Sequence, residues 1–201
     1  MPRGAPRSMK ITLSLTPPKG RRRERIQFSP PLMGGDEGEG VRGYIRNKVI
    51  IYTDGACLGN PGPGGYGAVL LYNDHRKELS GGFRLTTNNR MEIMAAIVAL
   101  TTLKRSCEVT LYTDSQYVVN ALTKGWAERW RANGWKRNKK EKALNCDLWE
   151  QLLNLCRRHK IEFVWVRGHA DNRENELCDL LASEAAQGQN LPPDTGYSPQ
   201  L

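Results

Sequence analysis

Two aspartates stand at the ends of short apolar runs, and the repetition is the most informative feature of this sequence. Asp54 closes the run Val49–Thr53, and Asp114 closes the similar run Val109–Thr113. Apolar, β-branched runs of this length are typical of buried strands. A buried carboxylate is costly unless its charge is compensated, so two strands that each deliver one indicate a site that gathers negative charge. For either strand alone, an aspartate that only caps the next turn or helix remains the alternative.

Glu92 and Asp179 are the two other acidic side chains expected at this site. Glu92 lies on a predicted helix, Arg90–Lys104, and shares a face with small alanines that would let the helix pack closely on a sheet. A capping box with Asn89 as the cap would also explain Glu92, because the spacing fits. Asp179 lies on the predicted last helix, Glu174–Ala186.

Four carboxylates in one place could not all stay ionised without cations. At about 4 Å, two like charges repel by roughly 4 kcal/mol at an effective dielectric constant near 20. Oxygen ligands without paired Cys or His favour Mg²⁺ or Mn²⁺ over Zn²⁺, and two divalent ions would balance the four charges. Two such ions beside a phosphodiester can activate the attacking water and stabilise the leaving oxygen. His169 would be placed to move protons there; an ordinary exposed loop histidine is the alternative.

The elements that must position these side chains predict an α/β layered domain with a mixed sheet. The opening strand and residues 66–73 and 78–85 are expected to form an antiparallel meander, with residues 59–65 as a turn-rich connection. The remaining predicted elements are the helix 90–104, the strand 109–113, a short helix 115–123, a helix 146–159, a strand 161–166 and the helix 174–186.

Positive charge is concentrated in two segments of the chain, whose formal net charge is +9. Residues 1–46 hold ten Lys/Arg against four Asp/Glu, and residues 124–142 hold eight against two, so the rest is mildly acidic. This asymmetry indicates a polyanionic partner, of which nucleic acid is the usual one.

The basic segment 124–142 also contains three of the five tryptophans. Cations interleaved with aromatic rings suit the tracking of a nucleic-acid backbone. Alternatively, Trp126 and Trp130 pack on the body of the domain and the cations form a solvated face. The residues expected to contact substrate here are Trp126, Lys136, Arg137, Lys139 and Lys140.

Both ends of the chain are expected to lie outside the folded domain, 47–187. Residues 1–46, rich in Pro, Gly and Arg, read as a disordered extension, with a transit peptide or a later start at Met9 or Met33 as alternatives. Residues 188–201 read as a loose tail. No run of 18 apolar residues predicts a membrane helix, and no apolar segment suggests a secretory signal. Five scattered cysteines fit reduced thiols in the cytoplasm.

From about Lys48 to Ala186, roughly 70% of the chain, the sequence closely resembles type 1 ribonuclease H, particularly its bacterial form. The motifs that carry the resemblance are Thr53-Asp54-Gly55, the glycine-rich run 59–65, Thr86 to Glu92, Thr113-Asp114-Ser115-Gln116, Gly168-His169, Glu174-Asn175-Glu176 and Cys178-Asp179.

The resemblance implies a ribonuclease H-like α/β fold with a five-stranded mixed sheet, three antiparallel strands and then two parallel ones, flanked by helices. It implies a monomer that binds RNA–DNA hybrids, has no membrane or obligate protein partner, and hydrolyses the RNA strand to 5′-phosphate and 3′-hydroxyl ends. Asp54 would bridge two Mg²⁺ ions (Mn²⁺ as a substitute), Asp179 would share the water-activating ion, and Glu92 and Asp114 would hold the other. His169 would assist proton transfer or product release.

The resemblance also implies which residues meet the hybrid. Glu92 would lie near an RNA 2′-hydroxyl, and the basic segment 124–142 would grip the DNA strand. Cys57, Asn60, Asn88, Asn89 and Gln116 would line the minor groove, and Thr87 would meet a DNA phosphate. The alternatives are a non-catalytic binding module and another nuclease of the same fold. The four intact carboxylates argue against the first, and the Asn88–Asn89 pair and the basic segment argue against the second.

Overall fold

The computed structural model of the chain describes residues 48–168 and 172–199. The basic extension 1–46 and the candidate proton-transfer residue His169 lie outside the described residues, so what was expected of them stays a prediction.

One five-stranded sheet organises the domain, with the strand order β3-β2-β1-β4-β5. The pairs β1–β2 and β2–β3 are antiparallel, whereas β1–β4 and β4–β5 are parallel. This confirms the predicted mixed sheet. The strands are β1 (Lys48–Cys57), β2 (Gly62–Tyr72), β3 (His75–Thr86), β4 (Glu108–Thr113) and β5 (Lys160–Trp165).

Five helices accompany the sheet in the described part of the chain. None of them is long and apolar enough to cross a membrane. They are α1 (Asn88–Thr101), α2 (Gln116–Thr123), α3 (Trp126–Ala132), α4 (Cys146–Cys156) and α5 (Arg173–Ala186).

The helices cover both faces of the sheet. Helix α1 packs on β1 and β2 and is itself covered by α4, whereas α5 packs on β1, β2 and β3. Because side chains alternate along a strand, Ile51 and Gly55 of β1 face α1 and Asp54 faces α5. The core on the α1 side of the sheet is filled by large apolar side chains, among them the fully buried Ile51, Leu111 and Trp149.

Helix α1 confirms the expected alanine face and excludes the capping interpretation of Glu92. Ala95, Ala96 and Ala99 are completely buried, which lets the helix sit close to the sheet. The helix begins at Asn88 with Thr87 as its N-cap. Glu92 therefore lies in the second turn, too far along for a capping box, and that alternative is wrong.

Strand β2 begins four residues earlier than predicted, because the glycines assigned to the connection pair with β1. Gly64 and Gly65 lie opposite Cys57 and Ala56 in the register. Turn-forming composition predicted a loop, but glycine pairs in a ladder as any residue does. Here the missing side chains make room for the helices on either face.

The segment after α5 contacts the domain, so its described residues, 188–199, are not the loose tail that composition predicted. Asp194 is 9% exposed and lies against the start of α1. The backbone N–H of Arg84 donates a hydrogen bond to the carbonyl of Pro192 at 3.0 Å. Composition alone missed this contact because a single buried ion pair, not an apolar pattern, anchors the segment.

Candidate active site

Asp54 and Asp114 lie side by side where the parallel pairing of β1 with β4 ends. Thr53 of β1 pairs with Thr113 of β4, so the residues that follow them are neighbours across the sheet. Adjacent strands are separated by about 4.8 Å. Asp54 is 7% exposed, and Asp114 is half-buried just beyond the end of β4.

Glu92 reaches this edge because α1 touches β1 at Gly55. A Cβ atom on Gly55 would lie 2.3 Å from the backbone nitrogen of Glu92, which no side chain could tolerate. The glycine next to Asp54 therefore allows the helix backbone to pass directly over the strand. This close approach brings the half-buried Glu92 to the same end of the sheet as Asp54.

Asp179 arrives from the opposite face through a second close approach. Gly67 of β2 pairs with Asp54, and a Cβ on Gly67 would lie 2.2 Å from the carbonyl oxygen of Cys178. Helix α5 thus rests on the strand beside Asp54, with Asp179 as the next residue. The Ser183 hydroxyl donates a hydrogen bond to Asp179 Oδ1 at 3.4 Å.

The four predicted carboxylates, the carboxylate cluster, are coupled electrostatically at Asp54. Burial, followed by repulsion from Asp114, Asp179 and Glu92, raises the pKa of Asp54 to about 8. The backbone N–H of Gly55, which donates to Asp54 Oδ1 at 2.6 Å, only partly offsets this rise. Without a counter-charge, Asp54 therefore keeps its proton near neutral pH.

Glu92 is held by two hydrogen bonds within the protein. Asn88 Nδ2 donates to Glu92 Oε1 at 3.0 Å, and the Ser115 hydroxyl donates to Glu92 Oε2. Burial raises the pKa of Glu92 to about 7, the Ser115 hydrogen bond lowers it, and the Asp114 charge raises it. Asn88, at the start of α1, and Ser115, just after β4, thus orient the same carboxylate.

Ser115 is a site residue that sequence reasoning missed. Its Oγ also accepts from the backbone N–H of Val118 at 3.2 Å, so it is the N-cap of α2. A serine directly before a helix signals such a cap. No sequence pattern shows that its hydroxyl also reaches Glu92, 23 residues earlier in the chain.

The donor set of this cluster fits a hard divalent cation, because it consists of carboxylate oxygens whose mutual repulsion a cation would relieve. Within residues 48–168 and 172–199, however, no three acidic, histidine or cysteine side chains already stand in an arrangement that would hold an ion. Carboxylate oxygens of Glu92 and Asp54 already accept hydrogen bonds from Ser115, Asn88 and Gly55. A bound metal ion would therefore replace some of these hydrogen bonds with bonds from the carboxylate oxygens to the metal.

The residues predicted to line a hybrid minor groove form a strip of short polar side chains, of which Cys57, Asn60, Asn88 and Asn89 lie together where the β1–β2 connection meets the start of α1. The backbone N–H of Asn88 donates to Asn60 Oδ1 at 3.3 Å, which joins the β1–β2 connection to the start of α1. Cys57 is half-buried, and its thiol contacts the carbonyl of Thr86 at 3.6 Å. Asn89 is exposed beside Asn88, and the half-buried Thr87 precedes them. Gln116, exposed, follows Ser115 at the start of α2.

The basic segment forms a separate projection. An antiparallel bridge joins Lys136 to Lys142, and the Asn138 side chain accepts from the N–H groups of Lys140 and Glu141, so the cations stand on an ordered turn. Lys136, Arg137, Lys139 and Lys140 are all exposed.

The tryptophans of this segment pack on the domain, as the alternative interpretation expected. Trp126 and Trp130 are half-buried against the core, with ring centroids 6.4 Å apart. Trp130 in turn meets the buried Trp149 edge to face. The Lys124 ammonium lies 5.4 Å from the Trp126 ring centroid. A role for Trp126 in substrate contact stays a prediction.

Replacing Ser115 by Ala should weaken the site through Glu92 as well as through the helix cap. We expect kcat to fall roughly tenfold, the Tm to fall because a lost N-cap costs about 1 kcal/mol, and more Mg²⁺ to be needed for half-maximal activity. The Mg²⁺ titration separates the two effects, because losing a cap alone would not move it. Ser115→Thr, which keeps the hydroxyl, is the control. Equal Mg²⁺ requirements in Ser115→Ala and the wild type would limit Ser115 to a cap.

Comparison with known proteins yields consistent matches over the folded domain. The profile of the family described as RNase H matches residues 46–187. Ribonuclease H of Syntrophus aciditrophicus is 72% identical over 152 residues, which cover 76% of this chain and 88% of the relative. Ribonuclease HI of Synechocystis is 59% identical over 152 residues, covering 75% and 95%.

Two solved structures show the same fold. LC9-RNase H1, a type 1 RNase H with the type 2 active-site motif, matches with a TM-score of 0.65 and 33% identity over 75% of this chain and 76% of its own. LC11-RNase H1, solved in complex with an RNA/DNA hybrid, matches with a TM-score of 0.54 and 26% identity over 69% and 96%.

The fold, the carboxylate cluster and these matches define the class of the protein as a metal-dependent endoribonuclease. The chain belongs to the RNase H family, whose activity is the degradation of RNA in RNA–DNA hybrids.

Proposed function

We propose that this protein cuts the RNA strand of RNA–DNA hybrids internally and without sequence specificity, by a mechanism that uses two divalent ions and leaves 5′-phosphate and 3′-hydroxyl ends. The observation that carries the proposal is the cluster of Asp54, Glu92, Asp114 and Asp179 at one end of the sheet, where three of the charges raise the pKa of the fourth. A buried cluster of this kind serves no packing purpose and needs cations.

The four carboxylates have distinct places in this proposal. Asp54 would be shared by both ions, Asp179 from α5 would help to hold one of them, and Glu92 and Asp114 would hold the other. The ions, when bound, would supply charge neutralisation and the activation of water for an in-line attack on phosphorus. Ser115 and Asn88 would orient Glu92, and His169 would move a proton or promote product release.

Recognition of the hybrid would rest on the strip of short polar side chains beside the cluster. A minor groove displays 2′-hydroxyls only on its RNA strand, and these groups distinguish RNA from DNA. Cys57, Asn60, Asn88, Asn89 and Gln116 would lie along this groove, with Thr87 on a DNA phosphate. Because such contacts are made to sugar and phosphate groups, they distinguish little between base sequences.

The projection 124–142 would hold the DNA strand through its phosphates. Its exposed cations stand on an ordered turn, and its tryptophans pack on the core, so the charges are presented by a supported surface.

The carboxylate oxygens favour Mg²⁺, with Mn²⁺ as a substitute. We further propose that the protein acts as a monomer in the cytoplasm, in keeping with its five free cysteines.

The direct test is incubation of the full chain with end-labelled RNA–DNA hybrid, duplex DNA and duplex RNA, each with Mg²⁺ and with chelator. We expect internal cleavage of the RNA strand of the hybrid only when Mg²⁺ is present. Mapping with a phosphatase and a 3′-end ligation would identify the ends. Cleavage of duplex DNA at a comparable rate would favour another nuclease of this fold, and hybrid binding without cleavage would favour a binding module.

A further inference from the structure

One buried carboxylate ties the C-terminal segment, residues 191–197, to the start of α1. The Asp194 side chain is 4% exposed. Its Oδ2 accepts hydrogen bonds from Thr86 Oγ1 at 2.7 Å and from Arg90 Nε at 2.7 Å, and its Oδ1 accepts from Arg90 Nη2 at 2.9 Å. Thr86 and Arg90 directly flank residues 87–89, the turn that begins α1. Asp194 therefore contacts the residue on each side of this turn.

Further contacts hold the segment 191–197 in place. The carbonyl of Pro192 accepts a hydrogen bond from β3, and the N–H of Gly196 donates to Asp194 Oδ1 at 3.2 Å. A Cβ on Gly196 would lie 2.0 Å from Asp147 Oδ2 and 2.6 Å from Arg90 Nη2. The backbone at Gly196 therefore passes directly over the Arg90 guanidinium.

Arg90 has two acidic partners, and they differ in what they connect. Asp147, at the start of α4, accepts from Nη1 at 2.9 Å and from Nη2 at 2.7 Å. Asp194 alone also binds Thr86, on the other side of the predicted hybrid-binding turn. A buried ion pair adds little net stability over apolar packing.

We propose that Asp194 is a positioning residue for hybrid binding, which acts through Thr86 and Arg90 to fix Thr87, Asn88 and Asn89 against the minor groove. The proposal rests on the proposed function and extends it to a residue beyond the range 46–187 that matches the family profile. Its effect falls on binding more than on catalysis, because the Ser115 hydroxyl still holds Glu92 when the contact from Asn88 is loosened.

The test compares Asp194→Ala with Asp147→Ala in the full chain. Both variants remove a carboxylate from Arg90, but only the first releases Thr86. Hybrid affinity is measured by fluorescence anisotropy in chelator, and kcat in Mg²⁺, at a temperature where circular dichroism shows every variant folded. We expect Asp194→Ala to raise the Kd about tenfold with kcat within about threefold of the wild type, and Asp147→Ala to leave the Kd unchanged.

Thr86→Val provides a second, milder variant in case Asp194→Ala does not fold. It cuts only the hydroxyl contact with Asp194 and should raise the Kd in the same direction, by about threefold. An unchanged Kd in Thr86→Val and in folded Asp194→Ala, or an equal rise in Asp147→Ala, would overturn the proposal.

Amide hydrogen exchange separates this proposal from the proposed function. The N–H groups of Arg90 and Met91 both donate to the Thr87 carbonyl at 3.1 Å and report on the turn. We expect them to exchange faster in Asp194→Ala than in Asp147→Ala, with core amides of β4 unchanged. If the wild type cleaves no hybrid, the proposed function fails. Equal exchange of these two amides in both variants would instead overturn the positioning role.

Discussion

Replacing Asp54 by Asn should abolish Mg²⁺-dependent cleavage of the hybrid, with kcat lowered at least about 10³-fold and hybrid binding in chelator retained. Asparagine keeps the shape of the side chain but removes the charge that lies between the other three carboxylates. The matched control is Asp74→Asn, the same chemical change at an exposed turn residue between β2 and β3. Cleavage by Asp54→Asn at a rate near that of the wild type would remove Asp54 from the mechanism.

The same substitution should stabilise the protein in chelator at pH 8. The pKa of Asp54 is raised from 3.8 to about 8 in the folded state, so the folded state binds the proton more tightly than the unfolded chain does. The wild type therefore loses stability as the pH rises from about 4 to about 8, whereas Asp54→Asn has no such group to ionise.

Thermal denaturation measures this second effect without reference to activity. We expect the Tm of Asp54→Asn to exceed that of the wild type by at least about 2–4 °C at pH 8, the shift that 1 kcal/mol produces in a domain of this size. Adding Mg²⁺ should raise the Tm of the wild type and leave that of the variant nearly unchanged, because ligand binding stabilises only a protein that binds it. Equal Mg²⁺ responses would show that Asp54 is not a ligand.

Neutralising Lys136, Arg137, Lys139 and Lys140 together should weaken hybrid binding and flatten its salt dependence. If each cation neutralises one phosphate, the slope of log Kd against log salt falls by roughly 0.9 per lost contact, and by about 3.6 for all four. Anisotropy titrations in chelator at several salt concentrations measure the slope. The kcat at saturating hybrid should change little, because these side chains lie outside the carboxylate cluster.

The control for this charge change is a variant with four other exposed cations neutralised: Lys104, Arg105, Arg157 and Arg158. They lie near the amino ends of β4 and β5, at the end of the sheet opposite the carboxylates. If the two quadruple variants shift the slope equally, binding responds only to net charge, and the projection 124–142 has no specific place in it.

Much of the fold could be predicted from the sequence because its signals are local. The β-branched runs ending in Asp54 and Asp114 predicted the two central strands, and the alanine spacing predicted the buried face of α1. Element ends were less predictable. Gly64 and Gly65 resembled a loop because their composition favours turns, whereas the neighbouring strand and helices keep them in β2.

The sequence alone predicted the four carboxylates, the strands and helices that carry them, and the basic segment. How these parts meet depends on contacts that the folded chain makes. Gly55 and Gly67 bring α1 and α5 onto opposite faces of β1, and the Ser115 hydroxyl reaches Glu92. Asp194 clamps both ends of the turn 87–89 from a segment that composition marked as loose. Such contacts join residues far apart in the chain, whereas periodicity and propensity describe only residues that are close in sequence.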